Sequence, residues 1–361
     1  MKIGIITFHF ANNFGAALQT YALSNTISRL YGHSVEIIDY RNRFISFTDF
    51  VRVFPITLNL KELVSGLTTF TKREQRRKKF VEFQKKYFSL SQKYTTLKSL
   101  RDNPPIYDVY ICGSDQIWNP AVTGGLDPAY FLDFVKNEGK KISFAASFGV
   151  GILKKMYWQE VNRCLMSLDD VSVREKEGVN LAEKITGRKV SQLIDPTFLL
   201  NKEDWEKMAK QPKIVGEYIL VYVMQNNKKV YEYAKRIKDI LGLKMVVISR
   251  YGYSLDFMDE VLIDVGPEEY LGLFKNAAFV CTNSFHGLVF SIIFEKDFYV
   301  VPSTRFNSRI NNLMQVLKVN NYEELTKEVL KKPGYSRESV KNIILAEQKK
   351  AFGYLKKNMN E

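Results

Sequence analysis

The chain has 361 residues, enough for two domains, and its 45% hydrophobic content is that of an ordinary globular protein. No apolar run approaches the roughly 20 residues that span a bilayer, which argues against a transmembrane protein. The net charge of +14 suits an anionic substrate or an anionic lipid surface. Nucleic acid is not an expected partner, because no recognised binding module accompanies the charge.

Met1-Lys2 leads into Ile3-Gly4-Ile5-Ile6, too short an apolar stretch for a signal peptide. The cysteines Cys112, Cys164 and Cys281 are odd in number and lack metal-ligand spacing, so no metal site is expected, and Cys112 and Cys281, at the ends of expected strands, read as buried thiols. The cytoplasm is the expected compartment.

Strand and helix signals alternate from the N-terminus. Residues 2–8 read as a strand, followed by a polar loop over 9–15. Leu18, Tyr21, Ala22, Ile27 and Leu30 give a helix over 16–31 that Gly32 stops, and 35–39 is the next strand. This is a doubly wound start, in which ligands collect at the carboxyl ends of strands. Residues 41–100 break the rhythm as an insertion of basic helices. Within it Phe80, Phe83, Tyr87 and Phe88 fall near helical spacing and should pack. The run Lys72-Arg73-Glu74-Gln75-Arg76-Arg77-Lys78-Lys79, with Lys85-Lys86, reads as a solvated face or as a patch for anionic lipid.

Strands are expected at 107–112, 141–146, 170–174 and 190–194, with helices over 154–168 and 176–185. A polar stretch over 201–216 containing Pro212 marks a domain junction. A second unit then begins. Its strands are expected at 218–224, 244–248, 262–263, 277–281 and 298–301, and its helices at 228–241, 268–276 and 289–294. The expected domains are 1–200, 201–335, and a C-terminal helix over 336–361 that packs back on the first. The fold class is α/β.

Three polar clusters sit at strand ends. Asn12-Asn13-Phe14-Gly15 follows the first strand. Its amides both donate and accept, as a sugar requires, though a tight turn would use the same residues. Gly113-Ser114-Asp115-Gln116-Ile117-Trp118-Asn119-Pro120 follows the strand over 107–112. It offers an indole for stacking on a sugar face, amides for its hydroxyls, and Asp115 as a base. The alternative is a capped turn with Trp118 in the core. Ser147, among the small residues of 145–149, is a further contact candidate. Arg174 ends the strand over 170–174 and could clamp an anion or form a salt bridge.

The third cluster, Cys281-Thr282-Asn283-Ser284-Phe285-His286-Gly287-Leu288, joins a strand to a helix. Ser284 reads as its N-cap, and free backbone N–H groups would face the same space as the imidazole of His286. Such a turn can hold a phosphate or carboxylate and protonate what is attached to it. Arg305 and Arg309 follow the last strand of this unit and could reach the same place.

In this order, FHFANNFGAALQTYAL (8–23), YDVYICGSDQIWNP (107–120), SFAASFG (143–149), SVREKEGVNLAE (172–183), LIDPTFLL (193–200) and CTNSFHGLVFSIIFEKDFYVVP (281–302) resemble the polysaccharide pyruvyl transferase family. The resemblance implies a GT-B-like fold, two Rossmann-like domains facing across a cleft. It also implies transfer of the enolpyruvyl carbons of phosphoenolpyruvate onto a sugar as a pyruvate ketal. No cofactor is implied beyond this co-substrate.

By position, His286 matches the family's histidine and Arg174 its basic residue in the first domain. Ser284, Phe285, Gly287 and Arg305 would complete the donor site. Asn12, Asn13, Gly15, Ser114, Gln116, Trp118 and Asn119 would hold a sugar or lipid-linked oligosaccharide acceptor. Family members tend to carry Arg-Leu before the histidine, where this chain has Ser284-Phe285. Two other functions fit the clusters less well. One is a glycosyltransferase with a nucleotide-sugar donor. The other is a non-catalytic protein of polysaccharide assembly docked peripherally on anionic membrane.

Overall fold

The computed structural model describes residues 1–53, 60–136, 138–224, 227–250, 252–301 and 307–359, with backbone alone at 52–53, 60–68 and 307. Arg305 lies outside the described residues. The chain forms two compact α/β units. The first comprises residues 1–50, 82–200 and 345–361, the second 51–81 and 201–344.

In the first unit β1 (Lys2–Ile6), β2 (Ser34–Ile37), β3 (Val109–Cys112) and β4 (Lys140–Ser143) form a parallel sheet in the order β2-β1-β3-β4. Short β5 (Ser172–Val173) and β6 (Ser191–Gln192) pair beside it, and bridges from Ile142 to Asp170 and from Ala146 to Val173 extend the layer. Helix α1 (Phe14–Tyr31) begins at Asn13, whose side chain accepts from Ala16 N, and ends at Gly32 with φ +63°. Only glycine takes that conformation without strain. Ile3, Ile5, Ile6 and Ile111 are fully buried, as expected of strands covered on both faces.

In the second unit β7 (Tyr218–Tyr222), β8 (Lys244–Ile248), β9 (Glu260–Leu262), β10 (Phe279–Thr282) and β11 (Asp297–Val300) form a parallel sheet ordered β11-β10-β7-β8-β9. The order reverses between β7 and β10. That is where a doubly wound sheet leaves room for a ligand beyond its carboxyl edge.

The segment over 41–100 is helical, with α2 (Arg43–Val53) and α3 (Leu60–Tyr87), but it is not an appendage of the first unit. Residues 51–81 belong to the second. Lys79 fastens α3 there by pairing with Glu269 at 2.9 Å and Asp264 at 3.4 Å. Phe80, Phe83 and Phe88 are buried and Tyr87 is half-buried, so these aromatics pack as their spacing predicts. The basic run divides by helical periodicity. Lys72, Lys78, Lys85 and Lys86 face solvent, whereas Arg73 and Arg76 are buried beside Phe80. The run is therefore not a wholly solvated face.

The helix Arg337–Asn358 ends in the first unit. There Tyr354 donates to the Ser143 carbonyl at 2.9 Å, and Lys357 and Asn358 reach Asp170 at 2.8 and 3.2 Å. The three cysteines are free and buried. Burial pushes the Cys164 thiol up to about 12, and Cys112 and Cys281 are raised as well.

One buried ionic knot ties β1 to β2. His9 is fully buried; its Nε2 lies 3.0 Å from Asp39 Oδ1, and its Nδ1 lies 3.3 Å from the Thr7 carbonyl. Arg41 donates to both oxygens of the same carboxylate. Burial alone would raise Asp39, but His9 and Arg41 outweigh it and bring the carboxyl from 3.8 to about 2. Its ionised form therefore stabilises the fold fully above the ordinary value, and the contribution drains away as pH falls toward the folded value. The shift is worth about 2 kcal/mol. Asp39→Asn should lose about that much stability in urea denaturation near neutrality. Its deficit against wild type should shrink as the pH drops from about 4 toward 2. A deficit that stays constant with acidification would contradict the knot.

Candidate active site

The strongest candidate lies at the carboxyl edge of the second sheet, where β10 hands over to the helix Phe285–Ile293. Thr282 sets the turn. Its hydroxyl donates to the Tyr222 carbonyl of β7 at 2.6 Å and accepts from Ser284 N at 3.0 Å. Ser284 is the N-cap, and its Oγ accepts from Gly287 N at 3.2 Å. Gly287 is required sterically, because a Cβ there would stand 2.3 Å from Thr282 Oγ1. Asn283 Oδ1 accepts from Met224 N at 2.9 Å and ties the loop after β7 to the same turn.

His286 thus occupies the first turn of the helix. It is enclosed, at 7% exposure, and its ring stands edge-on to Phe285 at 5.0 Å. Its backbone carbonyl accepts from Tyr270 Oη at 3.3 Å. An imidazole so placed lies largely out of bulk water, where charge interactions are stronger.

Arginines bear on this turn through its neighbours Tyr222 and Phe285, and most of them escape a reading by linear motif. Burial raises the Tyr222 phenol, while the charges of Arg76 and Arg250 and a hydrogen bond with Ser284 pull it partly back. Arg76 comes from the inner face of α3, and Arg250 stands just past the end of β8. Arg309, on the helix Asn307–Leu317, sits with its guanidinium 5.9 Å from the Phe285 ring centroid. Helical periodicity could have flagged Arg73 and Arg76, since they share a face with Phe80 and Phe83. No local signal links them to a histidine some two hundred residues further on.

The first unit gathers its own polar cluster at the carboxyl ends of β3 and β4. Arg174 is buried at its centre, donating from Nε to Glu175 Oε1 at 2.9 Å and from Nη1 to Asp195 Oδ2 at 2.5 Å. Burial works against its charge, and the carboxylates of Glu175, Asp195 and Asp115 more than restore it. These bonds form the salt bridge that the sequence left open as the alternative to an anion clamp.

Ser147 Oγ donates to Glu175 Oε1 at 3.0 Å and accepts from Gly149 N. Ser114 is fully buried, donating to the Ala145 carbonyl at 2.8 Å, so it is structural and no sugar contact. Trp118 is likewise in the core. It is 1% exposed, its Nε1 donates to the Tyr130 carbonyl, and its ring stacks on Phe131 at 4.9 Å. Asn119 caps the turn Pro120–Thr123 through Ala121 N and donates to Gln116 Oε1 at 2.9 Å.

Four acceptor-side candidates keep a functional opening. Asp115 holds a positive φ of +77°, a strained setting for a non-glycine residue. One of its carboxylate oxygens accepts from Gln116 N at 2.8 Å. Gln116, Asn12 and Asn13 are half-buried. Gly15 is buried in the first turn of α1.

Two parallel α/β units with polar clusters at their strand ends define a GT-B-like protein. The fold is shared with S. aureus MnaA bound to UDP, at 13% identity and a TM-score of 0.51, covering 99% of this chain and 97% of that one. It is shared also with a Listeria monocytogenes protein assigned as a UDP-N-acetylglucosamine 2-epimerase, at 10% identity and a TM-score of 0.52, covering 99% and 96%. No curated protein matches the chain. The family model described as polysaccharide pyruvyl transferase matches residues 13–304, and the chain belongs to that family.

Two substitutions test these placements. Trp118→Ala should cost about 3–5 kcal/mol in denaturant unfolding, as a core aromatic does. Stability near that of wild type would instead mark an exposed stacking platform. Thr282→Val keeps the shape but deletes both hydroxyl bonds, leaving the buried Ser284 N–H without its acceptor. It should cost about 1–3 kcal/mol.

Proposed function

We propose that this chain transfers the pyruvyl group of phosphoenolpyruvate onto a sugar of a cell-surface polysaccharide or its precursor, closing a pyruvate ketal. The observation that carries the reading is His286 in the Ser284-capped turn at the carboxyl edge of the second sheet, with Arg309 5.9 Å from the Phe285 ring centroid, in a chain of this family. Phosphoenolpyruvate presents two anionic groups beside an enol double bond. The positive end of the helix and the arginines suit its phosphate and carboxylate.

In this reading the His286 imidazolium gives its proton to the methylene carbon. The central carbon gains oxocarbenium character and bonds to a sugar hydroxyl oxygen. Phosphate then leaves with its bridging oxygen, and a second hydroxyl of the same sugar bonds to the same carbon. Of the two hydroxyl protons released, one restores the imidazolium and the other passes by way of a base to the departing phosphate. Asp115 is our assignment for the base that accepts from the sugar, with Asn12, Asn13 and Gln116 orienting it. The cytoplasm suits both the free buried thiols and this donor.

Arg76 and Arg250 take the part that an arginine immediately before the histidine plays in other members of the family. The fold likeness to a UDP-bound chain brings forward a nucleotide-sugar donor as the competing reading.

Isothermal titration separates the two: phosphoenolpyruvate should bind, and UDP-, GDP- and CMP-sugars should not. Arg76→Ala should weaken phosphoenolpyruvate by about tenfold or more, as expected when a charge-assisted bond is lost. His286→Ala should leave the fold intact and lower ketal formation by about 10²–10⁴. Near-normal turnover by His286→Ala, or heat from a nucleotide sugar alone, would overturn the assignment.

A further inference from the structure

Helix α2 packs on the first unit through the face that carries Asn42, Ile45 and Asp49. Asn42, at its start, donates to Asp127 Oδ2 at 2.7 Å and to the Thr123 carbonyl at 3.2 Å. Ile45 is 6% exposed, and Asp49 Oδ2 accepts from Asn12 N at 2.9 Å. On the opposite face Phe44, Phe47 and Phe50 are 45%, 61% and 50% exposed. At about 100° per residue they form one stripe, with exposed Arg43 inside it.

A second apolar projection stands on the same edge of the unit, in the segment after β4. Ile152 is 88% exposed and Met156 75%, and the exposed Lys154 and Lys155 lie between them. Leu153 is buried beneath, its carbonyl accepting from Trp158 Nε1 at 3.1 Å.

The two projections flank the Asp115 segment. Gly124, which ends the turn that Asn119 caps, lies under the Phe44 ring, where a Cβ would come within 2.5 Å. Gly149 lies against Gln116 and Asn119, where a Cβ would come within 2.0 Å of Gln116 Oε1. The exposed side chains therefore border the carboxyl edge that our functional reading gives to the acceptor.

We propose that this edge of the first unit is a docking surface for an anionic lipid bilayer, with Phe44, Phe47, Phe50, Ile152 and Met156 entering the interface while Arg43, Lys154 and Lys155 meet the headgroups. Apolar tips interleaved with cations are what a lipid interface takes, because each signal alone gives only marginal, reversible binding. A protein partner fits worse, since the centres of protein interfaces are depleted of lysine. The chain's net charge of +14 complements an anionic surface. No helix among the described residues is long and apolar enough to cross a membrane, so attachment here is peripheral.

The inference rests on our functional reading only in calling this edge the acceptor side, where docking would present a lipid-linked sugar. The test is vesicle co-sedimentation of the full chain with phosphatidylcholine alone and with an equimolar mixture of phosphatidylcholine and phosphatidylglycerol. Wild type should sediment with the mixture, and less as salt rises. The exposed triple variant F47S/F50S/I152S should partition at least about tenfold less, given the apolar groups removed. K154E/K155E should bind more weakly and lose part of the salt dependence.

Both variants should unfold at the wild-type temperature and bind phosphoenolpyruvate as wild type does. If the chain binds no vesicles, or binds them equally with the triple variant, the proposal fails. Self-association in sedimentation velocity that the triple variant abolishes, without vesicle binding, would assign the face to a protein contact and overturn it. Vesicle binding by a chain that ignores phosphoenolpyruvate would leave the lipid surface standing while the donor assignment falls.

Discussion

The hydroxyl of Thr282 is the constraint on which the second unit's chemistry depends. It bonds forward to Ser284 N and sideways to the Tyr222 carbonyl, so two adjacent parallel strands and a helix start are held by one atom. The arrangement demands a glycine at 287, because any larger residue would strike that same atom. With the turn so pinned, the cap hydroxyl and the helix N-terminus have fixed places. Preorganisation of this kind is the usual source of electrostatic catalysis.

The two units use buried charge in different ways. In the first, cations are matched internally: Arg174 with Glu175 and Asp195, Arg41 with Asp39. Such pairs offset the cost of burial and hold strand ends in register. In the second, Arg309 lies 5.9 Å from the Phe285 ring centroid at a helix N-terminus, which carries a positive field of its own.

Much of this was legible in the sequence where local rules decide. The strand over 244–248 and the helix over 228–241 lie where the pattern places them, because period and capping residues agree. Ser284 caps its helix as read. The ends of several strands were overrun. The strand read over 170–174, for instance, pairs regularly only over Ser172–Val173, because the chain turns there into the polar cluster around Arg174.

What the sequence hid was long-range. Trp118 sits among polar residues in the chain, yet Phe131, Phe148 and the Tyr130 carbonyl enclose it. Arg76 shares a helical face with Phe80 and Phe83, yet nothing local says that its charge acts on Tyr222. The second unit also takes residues 51–81 from the middle of what reads as an insertion, since ion pairs such as Lys79–Glu269 join partners far apart in the chain. Periodicity says which residues share a face. It does not say what that face meets.

The most direct measurement is a crystal structure of the chain soaked with phosphoenolpyruvate. The account predicts a phosphate or carboxylate group within hydrogen-bond reach of the Ser284–Gly287 turn and of Arg76 or Arg250, with the methylene carbon beside the His286 ring. Density for the ligand elsewhere, with that turn left empty, would contradict it.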